Sequence, residues 1–384
     1  MEISESIKYV GVDDHNIDLF EGQFAVPNGM AYNSYVIIDE KCAVMDSVDG
    51  AFGDEWLSHI EGVLGAQKPD FLVVHHMEMD HSANVLRFAQ KYPEAKIVAS
   101  KVAFAMMKNM FGTDFSDRQI VAAEGFSLSL GKHELRFIAA PNVHWPEVLM
   151  SFESAEGVLF SADAFGKFGA NNVADDDWAC EARRYYFGIV GKFGQNVQAV
   201  LKKVGALNVA KICPLHGPVL SENLEHYLSL YDIWSSYKSE TEGVAIAYTS
   251  VYGHTKAAAE KLCGMLKERG VQTAIFDLAR SDIHECVEDA FRYSKLVLAT
   301  TTYNGAIFPA MQSFIAKLTE RNFQNRTVAF IENGSWAPVA AKNMENALSS
   351  CKNLQFCQNK ITIKIAMTGE NEKQLSALAD ELSA

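Results

Sequence analysis

The 384-residue sequence predicts an α/β chain of two domains, the second a doubly wound parallel sheet. Three features predict it. In the first part of the chain, short apolar strands run into loops that carry histidine or a carboxylate. From Gly243 the pattern becomes a regular alternation of strand and helix, which argues a parallel sheet covered on both faces. Between the two lies the short polar stretch Lys238-Ser239-Glu240-Thr241-Glu242-Gly243, after a helical pattern over Leu224 to Tyr237. The expected domains are residues 1–241 and 242–384, each long enough for a substantial core.

In the first domain the apolar run Phe71-Leu72-Val73-Val74 leads into His76-Met77-Glu78-Met79-Asp80-His81. Two histidines and two carboxylates at one strand end point to a metal site, where a single histidine would point to packing. Alternate residues of an extended segment share a face, so His76, Glu78 and Asp80 are expected to converge. His81 then opens a helical run over Val85 to Lys91. Three further candidates follow short apolar strands of their own: His144 after Leu135 to Ala139, Asp163 after Leu159-Phe160, and His216 after Ile212-Cys213. That common placement is expected if all of them face one rim of a β core. The stretches Glu55 to Leu64, Arg183 to Val204 and Asn343 to Ser350 have helical periodicity and read as amphipathic packing.

These elements resemble the metallo-β-lactamase superfamily, an αββα sandwich with a two-metal site, over roughly Tyr9 to Leu228. One departure matters. The hydrolase motif is His-x-His-x-Asp-His, and here Glu78 stands at the second histidine position. Carboxylate in place of imidazole hardens the site and favours iron over zinc.

The second domain offers five strands, Val244 to Tyr248, Thr273 to Phe276, Leu296 to Ala299, Thr327 to Ile331 and Ile361 to Ile365, which suit a flavodoxin-like order. Ligands of such sheets bind beyond the carboxyl ends of the strands. After the first strand, Thr249-Ser250-Val251-Tyr252-Gly253-His254-Thr255 leads into a helix over Lys256 to Lys267. Hydroxyls, a glycine and a helix N-terminus form an anion site suited to phosphate. The loop resembles the flavodoxin phosphate loop, with Ser250, Gly253 and Thr255 matching and Tyr252 replacing a threonine. It has no lysine, which argues against a nucleoside-triphosphate loop. The loop after the third strand contains Thr302-Tyr303-Asn304-Gly305-Ala306, and the one after the fourth contains Asn333-Gly334-Ser335-Trp336. Both combine glycine, an aromatic ring and backbone donors, a mix suited to the flat ring of FMN.

A carboxylate-rich metallo-β-lactamase-like domain followed by a flavodoxin-like domain resembles the flavodiiron proteins, over nearly the whole chain. The resemblance implies two non-haem irons per chain. One would take His76, Glu78 and His144, the other Asp80, His81 and His216, with Asp163 bridging. His75 lies outside the pattern and is expected to be structural. Phe24, Tyr32 and Trp145 are candidates for the wall of the pocket. The implied activity is reduction of dioxygen to water, of nitric oxide to nitrous oxide, or both, with electrons relayed through FMN. A ferrous pair and a reduced flavin together hold the four electrons that dioxygen requires, which favours dioxygen slightly. The family also implies a head-to-tail homodimer or a dimer of dimers, in which the flavin of one subunit faces the irons of the other. A zinc-dependent hydrolase of the metallo-β-lactamase fold with a fused flavodoxin-like domain is the alternative.

The seven cysteines are scattered, without a Cys-x-x-Cys pair, which points to reduced thiols and leaves no ligand set for a rubredoxin domain in this sequence. An external donor is therefore expected, a rubredoxin or a reduced deazaflavin. The net charge of −14 argues against nucleic acid. Acidic clusters such as Asp175-Asp176-Asp177 read as solvated loop. No run approaches the roughly 20 apolar residues of a membrane span, and Met1 to Ser6 lacks a signal-peptide pattern. The expected location is cytoplasmic.

Overall fold

The computed structural model describes residues 3–173 and 177–384. Met1 and Glu2 of the N-terminal stretch, and Asp175 and Asp176 of the acidic cluster, lie outside these residues. Asp177 is described, and its carboxylate caps the helix Trp178–Tyr185 by accepting from Ala179 N at 3.1 Å. The chain divides into two compact units, Met1–Asp232 and Ile233–Ala384, within the helix Leu224–Ser235.

The first unit is built on two sheets. One has six strands in the order Ile7–Tyr9, Tyr35–Ile37, Ala43–Met45, Phe71–Val73, Lys96–Ser100, Gln119–Ala122; the other has five, from Ser127–Ser129 through Glu134–Ala139, Leu149–Glu153 and Val158–Phe160 to Lys211–Cys213. Alternation along the central strands decides what each face meets. Val36, Val44, Leu72 and Ile97 join the core that contains Trp56, Ile60 and Phe88 from the helices Gly53–Leu64 and Val85–Lys91. Their neighbours Tyr35, Met45, Val73 and Val98 turn the other way and pack with Phe137, Leu149 and Phe160 of the second sheet. Helix, sheet and sheet therefore form successive layers, as the αββα expectation required. The helical pattern over Arg183 to Val204 proves discontinuous. A helix over Trp178–Tyr185 passes through a π turn at Tyr186–Val190 and a 3₁₀ turn at Gly191–Phe193 before resuming over Gly194–Val204. The glycines at 188, 191 and 194 weaken the ladder there.

A histidine stitches the two sheets. His133 Nδ1 lies 2.8 Å from Asp39 Oδ2, beyond the end of Tyr35–Ile37, and its Nε2 lies 3.4 Å from Glu156 Oε1, in the turn before Val158–Phe160. Glu156 Oε1 also accepts from the Ser4 and Ser6 hydroxyls. Burial opposes the His133 cation, but its bonds to Asp39 and Glu156 outweigh that and raise its pKa. Burial likewise opposes the Asp39 anion, and the bonds from His133 reverse this, bringing it down to about 2. A raised histidine contributes stability that is fully present below its unfolded value and is lost as pH rises through the folded one. Chemical denaturation between pH 6 and 9 is expected to show wild type losing stability faster than His133→Asn. Parallel curves would mean that this histidine carries no charge-linked stability.

The second unit is the doubly wound sheet. Its parallel strands run Thr273–Asp277, Thr241–Tyr248, Tyr293–Tyr303, Thr327–Asn333, then a fifth divided into Gln355–Phe356 and Ile361–Ile363. That is the flavodoxin-like order 2-1-3-4-5. The helix His254–Glu268 starts two residues before its expected position, directly after Gly253. On one side of the sheet Val244, Ile246, Val297, Ala329 and Ile361 pack with Ala258, Leu262 and Leu266 of that helix and Leu375 and Leu378 of Gly369–Ser383. The first and third strands are neighbours in this order, so their following loops emerge side by side where the order reverses.

Candidate diiron centre and flavin site

The metal-type residues occupy one rim of the sandwich, at the carboxyl ends of Phe71–Val73, Glu134–Ala139, Val158–Phe160 and Lys211–Cys213. The turn after Phe71–Val73 is held by His75. Its backbone N donates to Asp46 Oδ1 at 2.6 Å, its Nδ1 lies 2.5 Å from Asp46 Oδ2, its Nε2 lies 2.8 Å from Ser151 Oγ, and its ring stacks on Phe160. His75 is a structural clamp, and neighbouring His76 faces the rim. Asp163 is presented by a strained turn in which Ala162 and Phe165 adopt left-handed φ values of 50° and 67°, conformations that side-chain-bearing residues hold only where the surroundings compensate.

All seven residues meet there, in two groups. His76, Glu78, His144 and Asp163 form one, with a donor atom of each within 4.8 Å of the others; Asp80, His81 and His216 form the second. In the first, His144 Nε2 is 3.0 Å from Glu78 Oε2 and 3.1 Å from Asp163 Oδ2, and His76 Nε2 is 3.2 Å from Asp163 Oδ2. In the second, Asp80 Oδ2 is 3.3 Å from both His81 Nε2 and His216 Nε2. The other oxygen of Asp163, Oδ1, lies 3.4 Å from His81 Nε2 and 3.8 Å from His216 Nε2. One carboxylate thus addresses both groups. Each group draws on loops of both sheets.

Asp80 corrects the alternation argument. The chain is extended only as far as Glu78, and a short helix over Met79–Ser82 then turns Asp80 toward the second group. His81 belongs to that same short helix, separate from Val85–Lys91.

The electrostatics suit cations. Asp163 is buried, and burial opposes its charge, yet the His76, His144 and His81 imidazoles hold its carboxyl well below the usual range. Burial opposes the His76 cation, and Asp163, Glu147 and Glu78 together reverse this and raise it; His144 is likewise raised, to about 9, against its own burial by Asp163 and Glu78. Both oxygens of Asp80 and Oδ1 of Asp163 are nevertheless buried without a hydrogen-bond donor. Buried acceptors facing imidazole nitrogens are satisfied by a metal ion, and the mixed nitrogen–oxygen set fits iron.

Several supports were missed in the sequence. Glu147 is buried and its Oε1 accepts from Met77 N at 2.9 Å and from His76 Nδ1 at 2.8 Å, which turns His76 Nε2 toward the rim. The Ala31 carbonyl does the same for His216, 2.7 Å from its Nδ1. Asn33 Nδ2 donates to the carbonyls of Pro214 and Gly217 and so secures the His216 loop. Gly217 has φ 78°, and a Cβ there would lie 2.6 Å from Lys167 Cγ, so glycine is required. Of the proposed wall residues, Trp145 packs edge-on to His76 and Tyr32 to His216, joined by Phe20; Phe24 packs instead on Phe168.

The flavin-type loops enclose a cavity of about 240 Å³ at the strand ends of the second unit. From the first loop Ser250, Val251, Tyr252, His254 and Thr255 line it; from the second, Thr302 and Tyr303; from the third, Asn333, Gly334 and Ser335. Thr249 is instead buried behind the loop, 2.6 Å from the Thr300 hydroxyl, and Gly253 serves as the helix N-cap with φ 90°. Asn304, Gly305, Ala306 and Trp336 lie outside the lining, the first three in an exposed hairpin turn and Trp336 at 89% exposure. Thr301 and Ile365 complete the lining. Ile365 escaped notice because it read as the end of a strand that stops at Ile363.

Residues 30–217 match the family described as ODP family beta lactamase, and residues 245–362 match a flavodoxin domain. The chain belongs to the flavodiiron proteins. A nitric oxide reductase from Moorella thermoacetica is 27% identical over all of this chain and 98% of its own length. A putative diflavin flavoprotein A 1 from Thermosynechococcus vestitus is 33% identical over 72% of the chain, which spans about half of that longer protein. Among solved structures, rubredoxin oxygen:oxidoreductase from Desulfovibrio gigas superposes with a TM-score of 0.92, at 23% identity over 100% of this chain and 97% of that one. The flavodiiron protein from Giardia intestinalis gives 0.93 at 24%, over 100% and 95%. These flavodiiron structures share the fold. Like other members, this chain takes FMN and a diiron pair as cofactors.

Proposed function

We propose that this flavodiiron protein reduces dioxygen to water, nitric oxide to nitrous oxide, or both, dioxygen being slightly favoured, at irons held by His76, Glu78, His144, Asp80, His81 and His216 and shared by Asp163. The observation that carries the proposal is the placement of Asp163, whose two oxygens address two separate histidine–carboxylate groups. Bound there, the metal pair supplies adjacent redox-active positions for small gaseous ligands, and FMN supplies paired electrons. The chain's own residues supply orientation and shelter. Glu147 and the Ala31 carbonyl hold His76 and His216 with Nε2 inward. Trp145, Tyr32 and Phe20 shield the imidazoles with apolar ring surface, which favours weakly polar gases over water. Two metal ions held by these neighbouring groups would supply adjacent positions for a pair of nitric oxide molecules.

The names of relatives support both gases, since the Moorella protein is named a nitric oxide reductase and the Desulfovibrio protein an oxygen oxidoreductase. An external donor, a rubredoxin or a reduced deazaflavin, is part of the proposal, as is a head-to-tail homodimer or dimer of dimers. Tyr252 and Trp336, 90% and 89% exposed beside the flavin cavity, are apolar surface that a second subunit would cover. No helix among the described residues is long and apolar enough to cross a membrane, and a cytoplasmic location belongs to the proposal.

The test is paired consumption of each gas by one iron- and FMN-replete preparation under a rubredoxin-based electron supply. Faster dioxygen loss with water as product is expected. Faster sustained nitric oxide loss with nitrous oxide release would reverse the preference, and loss of neither gas would defeat the reductase reading. An active monomer in size-exclusion chromatography would defeat the dimer.

A further inference from the structure

One residue of the flavin cavity holds a backbone conformation that its own side chain resists. Ile365, two residues past the strand Ile361–Ile363, has a φ of 70°. Ala366 N donates to the Lys364 carbonyl at 3.1 Å, which makes Ile365 the centre of a three-residue turn. A positive φ at the centre of such a turn is rare and strained, and for a β-branched residue it is an outlier. Burial does not compensate, because Ile365 is 56% exposed. What the turn achieves is to set Ile365 in the lining of the cavity.

The turn is held by Asn333, buried at the end of the fourth strand. Asn333 Oδ1 accepts from Ile365 N at 3.1 Å, and Asn333 Nδ2 donates to the Ile365 carbonyl at 2.9 Å. One side-chain amide thus grips both backbone polar groups of a single residue, as a neighbouring strand would. Gly334 N donates to the Ile363 carbonyl at 3.0 Å and ties the two strand ends together just before the turn. Conformations of this kind persist only where the surroundings over-determine them, and they gather at ligand clamps.

The sheet order decides which part of a flavin Ile365 would meet. Along the order 2-1-3-4-5 the fifth strand lies three places from the first, roughly 14 Å at the usual strand spacing. Ser250, Thr255 and the helix N-terminus, which suit an anion, follow the first strand. Ile365 stands at the other end of the cavity, and in FMN the end opposite the phosphate is the tricyclic ring. We propose that Ile365 is a ring-binding residue of the flavin site, held toward the ring by Asn333 at the expense of local stability. The inference rests on the assignment of this cavity to FMN. An exposed branched side chain in the lining gains apolar burial only when a ring covers it, so the strain is offset in the flavin-bound protein alone.

The test is titration of the full chain, freed of flavin, with FMN and with riboflavin, read by quenching of flavin fluorescence, beside chemical denaturation of the flavin-free chain. Ile365→Gly removes the side chain and adopts the positive φ without penalty. It is expected to bind FMN and riboflavin roughly tenfold more weakly, the scale of one lost aliphatic contact, while resisting denaturant at least as well as wild type. Ile365→Val keeps the branched contact and should bind both flavins nearly as wild type does. Asn333→Ala should weaken both flavins, and adding it to Ile365→Gly should weaken them little further, since the two residues act as one unit. An Ile365→Gly chain that binds both flavins like wild type, or loses affinity for FMN alone, overturns the ring contact and leaves the FMN assignment standing. An Ile365→Gly chain less stable than wild type overturns the strain, and fully additive losses overturn the clamp. A wild-type chain that binds neither flavin overturns the FMN assignment itself.

Discussion

Asp163→Asn is expected to yield a folded protein that has lost most of its iron and essentially all of its gas reduction. The substitution preserves shape and removes the charge addressed to both histidine groups. It also places an amide N–H₂ against imidazole nitrogens now 3.1–3.4 Å from a carboxylate oxygen. An amide oxygen is a poor ligand compared with a carboxylate. Loss of an outer hydrogen-bond partner alone costs roughly 10- to 100-fold in metal affinity, and a shared ligand is expected to exceed that range. Metal analysis after desalting reads the loss directly, and circular dichroism checks the fold. A variant that keeps its full metal content would show that Asp163 is shared by neither ion.

Glu147→Ala is expected to weaken metal retention by about 10- to 100-fold while leaving all seven ligand-type residues in place. The carboxylate is buried and anchors two donors at once, His76 Nδ1–H and Met77 N–H. Without it His76 is free to rotate or to adopt the other tautomer. Glu147→Gln keeps an oxygen acceptor of the same reach and should fall between wild type and Ala. Competition with a chelator of graded strength separates the three. If Ala and wild type released iron at the same chelator concentration, orientation of His76 would have to come from its neighbours Trp145 and His144 alone.

Much of this was legible in the sequence for a simple physical reason. A buried strand leaves an apolar run, and a ligand at its end leaves a polar residue just past it. His76, His144, Asp163 and His216 all carry that mark. The parallel sheet was legible from the same alternation of apolar strand and amphipathic helix. Less visible were residues whose importance lies in what they hold. Glu147, Asp46 and Asn33 sit in turns where a carboxylate or amide is ordinary, and only their burial among distant donors marks them out. Asp80 was misplaced because period-two reasoning assumes an extended chain, whereas the backbone turns helical at Met79. Trp336 reads as a wall for a flat ring and stands exposed beside the cavity lining, since a loop's outward course is not written in its composition.

The division of each ligand group between two sheets has a consequence for how the molecule is made. Glu78 and His76 leave one sheet and meet His144 and Asp163 from the other, while Asp80 and His81 meet His216. Neither sheet alone offers a complete nest, and His216 is synthesised long after the opening motif. A nascent chain therefore lacks the full first group until Asp163 has emerged, and the full second group until His216 has. Closure of the two sheets on one another is thus the step that completes both nests.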